Sequence, residues 1–237
     1  MKLGFEFQDK YVEFELIRSK RRTMSIEVLA EGEVKVRAPI SIPKDVILEH
    51  IKKKGEWIVE KQENARIISS KRVKREFIDE ELFMYLGKEY PLKIRYNQFL
   101  KGVSVSLTGK KLIVDISEYD REKIKKAIEL WYREVGLKVI KERVEYYSKF
   151  YLIKPRSIKV KEQKRRWGSC TYYNDLLFNW RCIMAPIGVL DYIVVHEMTH
   201  MIHKDHSRNY WEAVAKVMPD YEDKKRWLKE NGIKMDI

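Results

Sequence analysis

The sequence predicts an α+β protein, with a β-rich N-terminal region over residues 1–117 and a mainly helical C-terminal region over 118–237. Three observations carry that prediction. Residues 1 to 38 alternate apolar and polar side chains with period two, as half-buried strands do. From about Asp120 to Tyr151 an apolar stripe recurs at helical spacing. No flexible linker, repeat or low-complexity segment interrupts the chain, so the boundary near 115 to 120 rests on the change of period.

In the N-terminal region FEFQ, YVEFELI, MSIEVLA and EVKVRAP read as strands, with Glu31-Gly32 as a hairpin turn between the last two. The period changes at Ile42. Pro43 suits a first helical turn, and Val46, Ile47, His50, Ile51, Gly55, Ile58 and Val59 line one helix face to about Ile68. FMYLGKEYPLKIRY returns to strand character, and GVSVSL with KLIVDI reads as a hairpin about Gly109.

In the C-terminal region the long helix carries Ile124, Ile128, Trp131, Val135, Val139 and Val144, with Pro155 beyond its end. SIKVKEQKRRWGSC and DLLFNWRCI are strand-like runs around the turn TYYND. A helix starting at Pro186 or Ile187 carries VVHEMTHMIHKDH. Ser207 is placed to cap RNYWEAVAKVM, and Pro219 starts a last helix, DYEDKKRWLKE, closed by Asn231-Gly232.

Composition narrows the classes. Apolar residues make up 44% of 237, enough for a real core. The opening MKLGFEFQDK has charges where a signal peptide needs an apolar stretch, and CIMAPIGVL is among the longest uncharged runs. A soluble cytoplasmic protein without membrane association is expected. In the hairpin register Cys170 falls near Leu176 and Cys182 near Lys164, so the two are expected to be free thiols. The net charge of +13 favours an anionic partner, yet charged residues reach 36% and mix signs at helical spacing. A solvated surface therefore explains the charge as well as weak nucleic-acid binding does.

Four of the five histidines lie within VVHEMTHMIHKDH. His196 and His200, four apart on a helix, share a face and can reach one cation. Glu197 projects about 100° round the axis, too far to be a natural third ligand. It is placed instead to act as general base on water whose pKa the metal lowers, the H-E-x-x-H arrangement. A catalytic zinc site needs three protein ligands and one open position. From an unbroken helix His203 cannot join the other two, its Cα lying about 10 Å from that of His196. His206 can serve if the helix breaks around His203 to Asp205, and it is the better third ligand, although the usual terminal glycine is missing. A metal held for structure alone is the alternative. His50 lies alone on its helix and reads as a packed or half-exposed residue.

Three stretches resemble the YgjP-like metallopeptidase domain family, relatives of the zincin peptidases: RRTMSIEVLAEGEVKVRAPI, then KRRWGSC followed by FNWRCIMAP, then VVHEMTHMIHKDHSRNYW. The resemblance implies that His196, His200 and His206 ligate Zn²⁺ and that Glu197 is the catalytic base. It implies a zincin-like catalytic domain, a small sheet packed on the H-E-x-x-H helix, preceded by a β-rich N-terminal region. Met198 stands where the family's pattern has leucine; both are apolar. The substrate is left open between peptide and nucleotide, since one branch of the family is associated with UTP pyrophosphohydrolase activity.

Around the cluster, Arg165, Arg166 and Trp167 combine charge with an aromatic face and are candidates to bind substrate phosphate or stack a base. They read equally as surface charge and core, and Trp180 reads as core. Tyr210 and Trp211 are placed to pack against the turn that carries His206. Asp205 is a candidate to orient an imidazole, and Tyr192 either faces the site or joins the core. The leading reading is a zinc-dependent, metallopeptidase-like hydrolase. Less specific is a nucleic-acid-binding protein with a structural metal.

Overall fold

The computed structural model describes residues 1–29, 31–70, 74–163 and 166–237. The chain forms two compact units, Met1–Arg72 and Val73–Ile237.

In the first unit, strands β1 (Lys2–Phe7), β2 (Lys10–Ser19), β3 (Ser25–Val28) and β4 (Val34–Pro39) form one sheet in the order β1-β2-β4-β3. The β3–β4 hairpin turns at Gly32, whose φ of 86° is a conformation that side chains with a Cβ rarely adopt. The single helix expected to about Ile68 is two, α1 (Lys44–Lys52) and α2 (Gly55–Ser70). A Cβ on Gly55 would stand 2.2 Å from the Phe7 ring, so the absence of a side chain lets this point of the chain close onto β1. Ile47, Ile51 and Ile58 fill the core under the sheet with Phe5, Phe14 and Val36.

The second unit holds two sheets. The first is β5 (Leu82–Tyr85), β6 (Lys88–Tyr96), β7 (Val103–Thr108) and β8 (Lys111–Ile116), in the order β5-β6-β8-β7. The second is β9 (Ser157–Lys161), β10 (Gly168–Cys170) and β11 (Asp175–Asn179), in the order β10-β11-β9. The helices are α3 (Arg121–Ser148), α4 (Ile187–Thr199), α5 (Arg208–Val217) and α6 (Tyr221–Asn231). The molecule is thus mixed α+β, with three small sheets and six α-helices among the described residues.

The compact units divide well before the boundary placed at 117. Leu92, Val114 and Ile116 of the first sheet pack in one core with Ile124, Ile128 and Tyr132 of α3, so β5–β8 belong with the helices. DLLFNWRCI is a strand only to Asn179, whose side-chain oxygen accepts from the Arg181 N–H and starts a 3-10 helix, Trp180–Met184. Trp180 is core, as expected, with its indole N–H donating to Glu162 Oε2 at 2.8 Å. The TYYND hairpin has the predicted register, Cys170 opposite Leu176, and both cysteines are free. Cys182 lies on the 3-10 helix; Lys164, its expected neighbour, falls outside the described residues. No helix among the described residues is long and apolar enough to cross a membrane.

Helix α4 is buried on nearly every side, so its position is fixed by contacts all round. At its start, the β5–β6 turn donates from Leu86 N and Gly87 N to the carbonyls of Ile183 and Met184. A Cβ on Gly87 would meet Pro186 at 2.8 Å, and its φ is 76°. Along its length, Asp191 accepts two bonds from the Arg143 guanidinium of α3, at 2.6 and 2.8 Å. Breaking a buried bidentate pair leaves a charge without its partner. Because Arg143 is partly exposed, Asp191→Ala is expected to cost about 2 kcal/mol in urea unfolding; an unchanged midpoint would show that this pair does not anchor α4.

Candidate metal centre

α4 ends at Thr199, one residue before the second histidine of H-E-x-x-H. The His200 N–H bonds to His196 O at 3.3 Å and the Met201 N–H to Met198 O at 3.0 Å, a tightened last turn that ends the helix without glycine. The break thus comes slightly earlier than expected. The chain then doubles back through residues 201–206 and enters α5, with Ser207 at the N-cap position. The Ser207 hydroxyl makes no capping bond; its N–H donates to Asp205 Oδ1 at 3.2 Å. That bond sets Asp205 to shaping the turn, and the expected bond from Asp205 to an imidazole is not the one seen.

This turn brings three imidazoles together. His206 Nε2 lies 3.1 Å from His200 Nε2 and 3.3 Å from His196 Nε2. The three form a group whose ligand atoms all lie within 4.8 Å of one another. His200 Nδ1 donates to the carbonyl of His203 at 2.9 Å, which leaves the His200 Nε2 lone pair free. One proton on His206 Nε2 cannot point at both neighbours, so hydrogen bonding satisfies only one of the two close contacts. A cation satisfies both. Nitrogens at about 2.0–2.1 Å from a tetrahedral ion stand about 3.3–3.4 Å apart, close to the separations seen.

The electrostatics of His196 and His200 fit neutral, ligating imidazoles. Burial pulls His196 down to about 3, helped by His200 and His206, and burial also lowers His200. Neutral imidazole is the form that binds metal. His196 Nδ1 is buried without a hydrogen-bond partner, so ring packing holds this side chain. Its neighbours are Tyr192 at 5.8 Å, Tyr210 at 5.4 Å and Trp211 at 6.0 Å between centroids. Tyr210 is fully buried, stacks on His200 at 4.5 Å and donates its hydroxyl to His196 O at 3.0 Å. Trp211 lies 5.7 Å from His206 and stacks on Tyr221. The packing role expected of Tyr210 and Trp211 is therefore what the contacts provide.

Glu197 is 4% exposed, and burial pushes its carboxyl up to about 8 against the opposing charge of Arg166. With His196, Tyr192, Arg166 and Trp167 it lines a cleft of about 230 Å³. Arg166 is exposed at this cleft, whereas Trp167 is half-buried and also packs on the core. Both candidate substrate residues thus border the site, and Arg165 falls outside the described residues. His203 contributes its carbonyl.

Several contributors escaped the sequence reading. Gly168, the first residue of β10, faces Glu197 so closely that a Cβ would lie 2.6 Å from its Cγ and Oε1. The glycine inside WGSC was a visible signal, but only the packing of β10 on α4 gives it meaning. Thr199 and Tyr151 tie the end of α4 to the chain after α3: the Tyr151 hydroxyl lies 2.9 Å from Thr199 Oγ1 and donates to Val195 O at 3.2 Å. Nothing in the local pattern around Tyr151 announces that role. Gly232 was expected as a helix stop. Its φ of −56° is ordinary, and the reason for glycine there is the Trp167 ring, 2.6 Å from where a Cβ would be.

Comparison with known proteins agrees with the motifs. The profile of the YgjP-like metallopeptidase domain matches residues 22–231, nearly the whole chain. No curated protein matches. Among solved structures, the metallopeptidase zymogen of Pyrococcus abyssi abylysin is similar to 41% of this chain and 99% of its own, at 16% identity and a TM-score of 0.36. The chain belongs to the YgjP-like metallopeptidase domain family.

Proposed function

We propose that this protein is a metal-dependent hydrolase of peptide bonds, in which His196, His200 and His206 hold a zinc-type ion and Glu197 is the general base. The observation that carries the reading is the convergence of three imidazole Nε2 atoms beside a buried glutamate. A bound divalent ion of this kind supplies Lewis acidity to a carbonyl and lowers the pKa of water.

The protein's own groups do the rest. Glu197 accepts the proton of the attacking water at a carboxylate oxygen and returns it to the leaving nitrogen. A carboxyl whose proton affinity burial has raised suits both halves of that transfer. Tyr210 and the His203 carbonyl keep the His200 ring in place, so the base and the ligands stay in register. β10 is an edge strand of its sheet among the described residues and abuts Glu197 through Gly168. An extended peptide that adds to that edge by main-chain hydrogen bonds would bring a scissile amide to the cleft. Arg166 and Trp167, at the cleft, are positioned to contact substrate on the way in.

Zinc-loaded protein is expected to cleave members of an unbiased peptide pool, to stop when the metal is chelated and to resume when zinc is restored. Pyrophosphate release from nucleoside triphosphates, with the peptide pool left intact, would overturn the peptide reading while keeping the metal site.

A further inference from the structure

The first unit carries a second candidate site, separate from His196, His200 and His206 and independent of the catalytic reading. An open depression of about 650 Å³ is lined by Met24 and Ile26 together with His50, Lys53, Lys54 and Trp57. The last four are spaced at zero, three, four and seven, so they share one face through the α1–α2 junction, where Lys53 keeps helical dihedrals. Ile47, Ile51 and Ile58 occupy the core side of the same helices. Trp57 is left 40% exposed, and among the described residues no ring or cation stacks on it. The core does not require an indole there.

The opposite wall is formed by Met24 and by Ile26 of β3, an edge strand of its sheet among the described residues. Met24 and Ile26 give that wall an apolar surface, and the basic run Lys20-Arg21-Arg22 leads into it. Arg21 donates to Ser25 Oγ at 3.0 Å, which fixes the run against the strand. The cationic side is equally open: Lys53, Lys54 and His50 are all exposed. Lys53 meets Glu49 at 2.7 Å, but an exposed pair of this kind is weak and exchanges readily for a stronger anion.

We propose that this depression binds single-stranded nucleic acid, with a base stacked on the open face of Trp57 and the phosphate backbone lying along Lys53 and Lys54. An aromatic platform flanked by cations is the chemistry that holds unpaired bases without reading their sequence. An acidic peptide would use the lysines and leave the indole face empty. The chain's net charge of +13 supports the approach of a polyanion.

The test is fluorescence anisotropy of the full chain with a labelled oligothymidylate of about fifteen nucleotides. Wild type is expected to bind, Trp57→Ala to bind about 10-fold more weakly or worse, and Trp57→Phe to keep most of the affinity. Lys53→Gln with Lys54→Gln should weaken binding and make the slope of log K on log salt shallower by about 1.4. Each variant is checked for unchanged thermal unfolding. No binding by wild type, or equal binding by wild type and Trp57→Ala, would overturn the proposal. Displacement of the oligonucleotide by polyglutamate at equal charge would overturn it in favour of an acidic peptide site, and equal competition per nucleotide by thymidine monophosphate would reduce it to a mononucleotide site.

Discussion

Glu197→Gln is expected to lower kcat for peptide cleavage by about 10²–10⁴-fold, with KM and bound metal unchanged. The amide has the shape of the carboxylate, so the fit against Gly168 survives. What disappears is an oxygen able to take and return a proton. Glu197 projects away from the His196 and His200 face, so the three imidazoles keep their mutual distances in the variant. The signature is thus a loss confined to the chemical step. Unchanged turnover on a verified peptide would remove Glu197 from the mechanism.

Gly168→Ala is expected to reduce kcat by about 10²-fold, again with metal retained, because displacement of a catalytic group by about 1 Å costs on that order. The added methyl would stand 2.6 Å from Glu197 Cγ and Oε1, well inside contact distance. Glu197 is held on a helix buried on nearly every side, so the backbone of α4 cannot retreat and the side chain must swing off its position. The three heavy atoms nearest to that methyl all belong to Glu197 and none to a metal-ligand histidine, so zinc stoichiometry is the control that separates this effect from loss of the site. Wild-type kcat in Gly168→Ala would show that β10 does not position the base.

Much of the candidate site is legible in the sequence. The spacing of His196 and His200 needs only helix geometry, and the requirement for a break before His206 follows from the reach of an imidazole. The turn itself was less legible. The helix stops at Thr199 through a tightened last turn, and the His203 carbonyl takes the orienting role that a carboxylate at Asp205 was expected to fill. A carbonyl's role is invisible in sequence, because every residue has one.

The fold shows the same limit. Period-two and helical patterns located the strands and the long helix, because periodicity reports which face of an element is apolar. It does not report which core that face joins. The strands β5–β8 fall inside the β-rich N-terminal region that the change of period marks off, yet their apolar faces pack with α3. Gly55, Gly168 and Gly232 each stand where another side chain comes too close for a Cβ, and those neighbours, Phe7, Glu197 and Trp167, are distant in the chain. Local sequence marks the glycine and hides the reason.

The central claim, that His196, His200 and His206 form one metal site while His203 serves only through its carbonyl, is tested most directly by elemental analysis of purified protein. Wild type and His203→Ala are predicted to carry about one zinc per chain, and His206→Ala to carry much less. Full zinc in His206→Ala, or its loss in His203→Ala, would contradict the account.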